Sequence, residues 1–407
     1  MQTTIESLRL TGGRVLIEEQ LQEGSVGVRE GLITLQSGDL STALDVTGYL
    51  VLPGIIDLHG DAFERHIAPR PSAPFPSAVG LRSVDLDAAS NGVTTAWMAQ
   101  SWSWEGGTRS PDFTENFLAS VQDYRPQSLT DLRVQIRCET HMVDTYDRLI
   151  AAIRTYGVDY VIFNNHLDEA IAMAKNDSSH LAGWASRAGR SIPDHMALVH
   201  SAVARQSEVP RFLCNLATAF DNLGVRYGSH DDNDARTRDY YAIIGAKICE
   251  FPTRYEPAAL AKASGDPVLM GAPNVARGGS QSGNVSAESL IREGLCHALV
   301  SDYHYPSLAM AAYRLVDRDV LDFAKAWAMI SSMPAKIMGL SDRGQITEGH
   351  RADLVLVNGD TRQIEGTIAA GRWSHLSGAL ATRLSSKRAS VAMAADYLLV
   401  FFQKSLC

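Results

Sequence analysis

A run of short apolar segments separated by helical patterns, between residues 53 and 345, constrains this 407-residue sequence most. Eight of them read as strands: GIIDLH, TTAWMAQ, VQIRCE, YVIFNNH, VRYGSH, KICEFPT, PVLMGAP and ALVSDY. Apolar runs of this length, bounded by turn residues and alternating with helical stretches, predict βα units. Eight such units predict an α/β fold built on a (β/α)8 barrel of the TIM type, whose chemistry sits at the C-terminal ends of the strands. Those ends carry His59, Glu139, His166, His230, Glu250 and Asp302. MALVH, inside the mostly helical stretch 167–224, is a further strand candidate.

The flanks read differently. Residues 1–52 alternate apolar and polar residues around glycine turns, and residues 346–384 repeat that texture in RADLVLVNGD and IEGTIAAGR. Two such pieces around a barrel at 53–345 predict one small β-sandwich made from both ends of the chain. Residues 385–407, with SVAMAADYLLVFF, predict a helical tail.

Charge narrows the partners. The sequence has 37 Lys plus Arg against 46 Asp plus Glu, a net charge of −9. A nucleic-acid binder would carry a basic stripe, so nucleic acid is not expected as a partner. Five scattered cysteines without a CxxC pair predict neither a disulfide framework nor a structural zinc knot. With no basic leader and no apolar run of spanning length, the expectation is a cytoplasmic protein without membrane contact. A homodimer is compatible with this size class.

The strand-end residues suit a divalent metal. His59-x-Asp61 pairs an imidazole and a carboxylate two residues apart, which regular strand geometry puts on one face. Glu139 offers two oxygens that can bridge two cations, and His141 ranks below it. His166 and His230 add imidazoles suited to zinc-like metals, and Asp231 and Asp232 are candidate partners that orient His230. Asp302 is placed to touch a metal and take a proton from water, with Glu139 as its catalytic companion. Lysines are sparse at these ends, which favours Glu139 over a carbamylated lysine as the bridge.

A second constellation suits anions. In GAPNVARGGSQSGN, Asn274, Arg277, Gly278, Gly279, Ser280, Ser282 and Asn284 form a glycine-rich loop whose amides can turn toward phosphate while Arg277 adds paired contacts. FERHIAPRP brings Glu64, Arg65, His66 and Arg70 just past the first metal motif, and Arg254 follows Glu250. Converging arginines predict a phosphorylated small-molecule substrate despite the acidic whole. No Walker A loop, G-x-S-x-G elbow or His-Glu-x-x-His motif is present.

Taken together, DLHGDAFERHIAPRP, RCE, SHDD with EFPT, and MGAPNVARGGSQSGN with SDY resemble the amidohydrolase superfamily. Within it they resemble the PhnM-type diphosphatases of phosphonate metabolism, over nearly the whole chain. The resemblance implies a barrel hydrolase holding one or two divalent ions, zinc first, with manganese and iron also suited. It implies His59, Asp61, Glu139, His166, His230 and Asp302 as ligands, and a metal-activated water that cleaves a ribosyl 5-triphosphate to the 5-phosphate and pyrophosphate. The sequence departs from that pattern after His166 (LDEAIAMAK) and after Tyr303 (His304-Tyr305-Pro306-Ser307). A C–N hydrolase on the same scaffold is therefore the alternative, and a non-catalytic metal-binding scaffold ranks third.

Overall fold

The computed structural model describes residues 4–36, 40, 42–70, 74–176 and 178–386. It opens with β1 (Ser7–Ile17), β2 (Gln20–Arg29), β3 (Leu32–Thr34), β4 (Ala43–Asp45) and β5 (Tyr49–Pro53). The ring follows: β6 (Ile55–Gly60), β7 (Val93–Trp102), β8 (Asp131–Glu139), β9 (Tyr160–Asn164), β10 (Arg226–His230), β11 (Ile248–Glu250), β12 (Val268–Gly271) and β13 (Ala298–Val300). The last strands are β14 (Leu354–Asn358), β15 (Ile364–Ala369) and β16 (Arg372–Leu376). MALVH is helical, within Ile192–Ala204. The chain is helical over 378–386; the predicted tail from 387 onward lies outside the described residues.

The two ends of the chain share one mixed sheet, ordered β16-β15-β14-β5-β1-β2-β3, with β4 on β1. Its register shifts between Leu10 and Gly13, so the first half of β1 pairs with β4 and the second with β5. Gly12 makes that bend with φ 78°, and a Cβ there would lie 2.4 Å from Thr47 Oγ1. β5 then pairs antiparallel with β14, Val51 opposite Leu356. Leu8, Leu10, Val26, Val51, Leu354, Leu356 and Ile368 form a core fed from both ends. Each such side chain contributes about 1.5–3 kcal/mol by leaving water.

β6 to β13 run parallel in sequence order. The ring is stitched shut where its first and last strands meet. Gly60 bridges to Asp302, Asp302 N donates to His59 O (3.0 Å), and Asp61 N donates to Asp302 O (2.6 Å). Below this, the buried Asp57 carboxylate accepts from Ser301 N (2.8 Å) and Ser301 Oγ (2.6 Å). Ile56, Leu58, Trp97, Tyr160, Ile162, Ile248, Leu269 and Val300 form one contact cluster with Ala335 and Met338. They come from six of the eight strands, on opposite sides of the ring as well as side by side, so they meet across the interior and fill the ring as a packed core.

An arginine cluster ties the ring's lower end to the terminal sheet. The Asp131 carboxylate, at the start of β8, accepts from Arg133 Nη2 (3.0 Å), Arg343 Nη1 (2.7 Å) and Arg351 Nη1 (3.4 Å). Burial pushes this carboxyl up, but Arg133, then Arg351 and Arg343, outweigh it and bring it down to about 2. Its folded pKa lies below the ordinary aspartate value of 3.8, so its stabilisation is present above pH 4 and lost as pH falls toward 2. With partial exposure discounted, Asp131→Asn is expected to cost about 1–2 kcal/mol at neutral pH. Urea midpoints at stepped pH should show the deficit shrinking across that acid window; a constant deficit would count against the charge argument.

Candidate functional site

Above the apolar core lies a polar layer organised by Glu250. This buried carboxylate accepts from Gln135 Nε2 (2.8 Å), Tyr160 OH (2.5 Å) and His59 Nδ1 (2.8 Å). His59 keeps it charged: burial alone would raise its pKa, yet the net shift is downward. Its oxygens are thus engaged, and its role is to fix His59 with Nε2 directed away from the bond. The rings of His59 and His230 stand 5.2 Å apart, with Phe251 5.1 Å from the first and 5.0 Å from the second.

A second group converges nearby. His166 Nδ1 lies 2.5 Å from Glu139 Oε1 and 3.5 Å from Glu105 Oε1, yet it has no aligned hydrogen-bond partner. Donor atoms close together but not aimed at one another fit lone pairs directed at a common cation. Glu139 is held from behind: its Oε2 accepts from Trp104 Nε1 (3.3 Å) and the His166 amide (3.2 Å). Glu105 is fixed by both oxygens to Arg109 Nη1, at 3.2 and 3.0 Å. Burial raises the Glu105 pKa, but His166 and Arg109 outweigh it and bring it down to about 2. His166 moves the other way: burial lowers its pKa, but the charge of Glu139 raises it to about 10. His59, His230 and Glu250, and separately Glu105, Glu139 and His166, each bring ligand atoms within 4.8 Å of one another. The donor sets, imidazole plus carboxylate, fit a zinc-like divalent ion.

Three strand ends adopt left-handed backbone at non-glycine residues: Asp231 (φ 59°) after β10, Phe251 (φ 50°) after β11 and Asp302 (φ 58°) after β13. Such conformations carry strain and gather at functional sites. Here the ring imposes them: Asp231 N donates to Glu250 O (3.0 Å), Phe251 N to Leu269 O (2.9 Å) and Asp302 N to His59 O. Asp302 is partly buried, and burial pushes its carboxyl up to about 6, against the charge of His59 and with that of Asp61.

A cavity of about 210 Å³ joins this centre to the glycine loop. His59, His230, Asp231, Asp302 and Arg137 line it together with Arg277, Ser280, Gln281, Ser282 and Asn284 of the loop region. The loop works differently from the expectation. Gly278 N and Gly279 N both donate to Asn274 O (3.1 and 2.8 Å), closing the helix Ala272–Arg277. Their amides are spent on that C-cap and do not turn toward an anion. Asn274 is spent too: its Nδ2 donates to Val285 O (3.4 Å) and its Oδ1 accepts from Ala287 N (3.1 Å). The groups left for an anion are Arg277, Ser280, Ser282 and Asn284.

The other expected residues take varied places around this centre. β6 ends at Gly60 with an irregular register, so strand alternation does not carry through to Asp61. Asp61 lines an adjoining cavity of about 330 Å³ with Glu64, Arg65, Phe63, Phe113 and Tyr303. His66 turns to Asp87 (3.7 Å), and Arg70 and Arg254 are exposed and line neither cavity. His141 is bound between Thr140 and Gln206. Asp231 Oδ2 stands 2.9 Å from His230 Nδ1, whereas Asp232 faces Ser229 (2.7 Å) and Arg238 (3.4 Å) and does not orient His230. Glu105, Arg109, Gln135, Arg137 and Tyr160 escaped the sequence reading. Only Gln135 and Arg137 left a signal there: they alternate with Glu139 on one face of β8.

The comparisons agree with the geometry. An amidohydrolase family profile matches residues 290–372. α-D-ribose 1-methylphosphonate 5-triphosphate diphosphatase of Escherichia coli is 30% identical over 357 residues, covering 85% of this chain and 93% of that one. Among solved structures, a putative prolidase of Bifidobacterium longum superposes with TM-score 0.61 at 13% identity, over 94% of this chain and 99% of the other. A dihydropyrimidinase of Brevibacillus agri gives 0.60 at 12% identity, over 92% and 97%.

Proposed function

As this chain belongs to the amidohydrolase family, together with that diphosphatase, we propose that it hydrolyses the phosphoric anhydride of a ribosyl 5-triphosphate bearing a 1-phosphonate. The products would be the 5-phosphate and pyrophosphate. The observation that carries this reading is one cavity lined both by metal-capable residues and by Arg137, Arg277 and loop hydroxyls. A neutral amide would have no use for the second set.

His59, His230 and Asp302 would hold one divalent ion, and Glu105, Glu139 and His166 a second. A bound metal supplies Lewis-acid polarisation of a phosphoryl oxygen and lowers the pKa of water. Zinc heads the list, with manganese and iron suited to the same donors. Glu250 orients His59, and Asp302 takes the proton of the attacking water. The water oxygen bonds to the α-phosphorus, and the bridging oxygen leaves with its electron pair on pyrophosphate. Arg277, Ser280, Ser282 and Asn284 bind the outer phosphates, and Arg277 also stands 6.0 Å over the Tyr303 ring. Arg65, beside Tyr303 in the adjoining cavity, would meet the phosphonate end.

Arg277→Ala is expected to raise KM for a ribosyl triphosphate roughly tenfold with kcat little changed, since the lost contact acts on ground and transition states alike. An unchanged KM would remove the loop from substrate binding. Assaying ribosyl triphosphates beside cyclic and N-acyl amides tests the whole reading; turnover of the amides alone would overturn it. No helix among the described residues is long and apolar enough to cross a membrane. Cys138, Cys214, Cys249 and Cys296 are free, which supports a reducing, cytoplasmic setting.

A further inference from the structure

Resting on the diphosphatase reading, we propose that Arg137 contacts the phosphoryl oxygens at the bond being broken and is a catalytic residue of this hydrolase. Along β8, Gln135, Arg137 and Glu139 alternate onto one face and climb it in steps. Gln135 reaches Glu250 in the polar layer, and Glu139 reaches His166 at the mouth. Arg137 stands between them in sequence on that face and lines the cavity it shares with the glycine loop. His59, His166, His230, Asp231 and Asp302 all feel its charge.

Arg137 has no carboxylate partner among the described residues. The Asn164 side-chain oxygen, in the amide orientation its neighbours require, accepts from Arg137 Nε (3.2 Å) and Nη2 (3.0 Å). That neutral partner fixes the guanidinium without cancelling its charge. Four other half-hidden arginines differ: Arg109 faces Glu105, Arg133 and Arg343 face Asp131, and Arg351 faces Asp353, whereas Arg190 and Arg314 also meet only carbonyl oxygens but line neither cavity. A partly buried, unpaired cation beside a metal-capable cluster is unfavourable alone and becomes favourable when an anion occupies the cavity. A planar guanidinium suits two phosphoryl oxygens at once. Charge gathers on the departing pyrophosphate as the anhydride opens, and a cation fixed there stabilises that state more than the ground state. Arg137 exchanges no proton; water and Asp302 do that.

The test uses full-length protein loaded with the divalent metal, and Arg137→Ala and Arg137→Lys variants. For Arg137→Ala we expect kcat on a ribosyl 5-triphosphate to fall roughly a hundredfold to a thousandfold with metal content unchanged by elemental analysis. Added guanidinium ion should restore part of that loss, and Arg137→Lys should fall between. Wild-type kcat in Arg137→Ala would overturn the proposal. So would a loss accompanied by missing metal, unrelieved by guanidinium and equal in the lysine variant, because Arg137 would then only hold Asn164 and β9. Failure of the underlying reading shows earlier and elsewhere: wild-type protein would be inert toward phosphoric anhydrides while cleaving a cyclic amide.

Discussion

Asp302→Asn is expected to lower kcat by about a thousandfold, the range for removing a positioned proton acceptor, while leaving the fold intact. The fold survives because Asp302 meets the first strand through its backbone: its amide and carbonyl, not its carboxylate, bond to His59 and Asp61. Asparagine also tolerates the left-handed φ of 58° that this position requires. What asparagine lacks is the ability to accept a proton in a cavity shared with His59 and His230. Circular dichroism and thermal melting should match wild type while steady-state turnover collapses. Turnover within about tenfold of wild type would remove Asp302 from proton transfer.

Glu139→Gln has the second-largest expected effect, on metal content. Glu139 is buried, its Oε2 is pinned by Trp104 and the His166 amide, and its Oε1 meets His166. The amide keeps the shape but removes the charge that holds a cation against Arg109 and Arg137 nearby. Losing a mere orienting partner costs about 10–100-fold in metal affinity, and losing a charged ligand should exceed that. Elemental analysis after dialysis against graded chelator should show metal lost at far lower chelator than in wild type. If retention is equal, Glu139 is no ligand.

The sequence reading reached the ring and the shared terminal sheet because both rest on local patterns. Each of the eight runs is apolar enough to be a buried strand, and GIIDLH to ALVSDY all became strands of one parallel sheet. His59, His166, His230, Glu139 and Asp302 were legible because strand ends are where a barrel exposes polar groups. Glu105 was not, because it lies in the loop after β7, where Arg109 four residues on holds its carboxylate and the distant Arg190 holds its backbone carbonyl. Gln135 and Tyr160 read as ordinary strand residues, and only ring closure brings them to Glu250. The glycine loop misled in a specific way: its composition permits an anion nest, but the short helix before it claims two of the amides for its own cap.

The stitch between Asp57, Ser301, Gly60 and Asp302 joins residues about 240 positions apart, and it runs through the chemical centre itself. A chain emerging from the ribosome therefore has His59 early but cannot orient Asp302 until the final strand has been made and docked. Fragments cut anywhere within the ring should be inert even when both halves are stable, and activity should appear on refolding only with the last closure. A truncated or nicked chain would then bind without turning over.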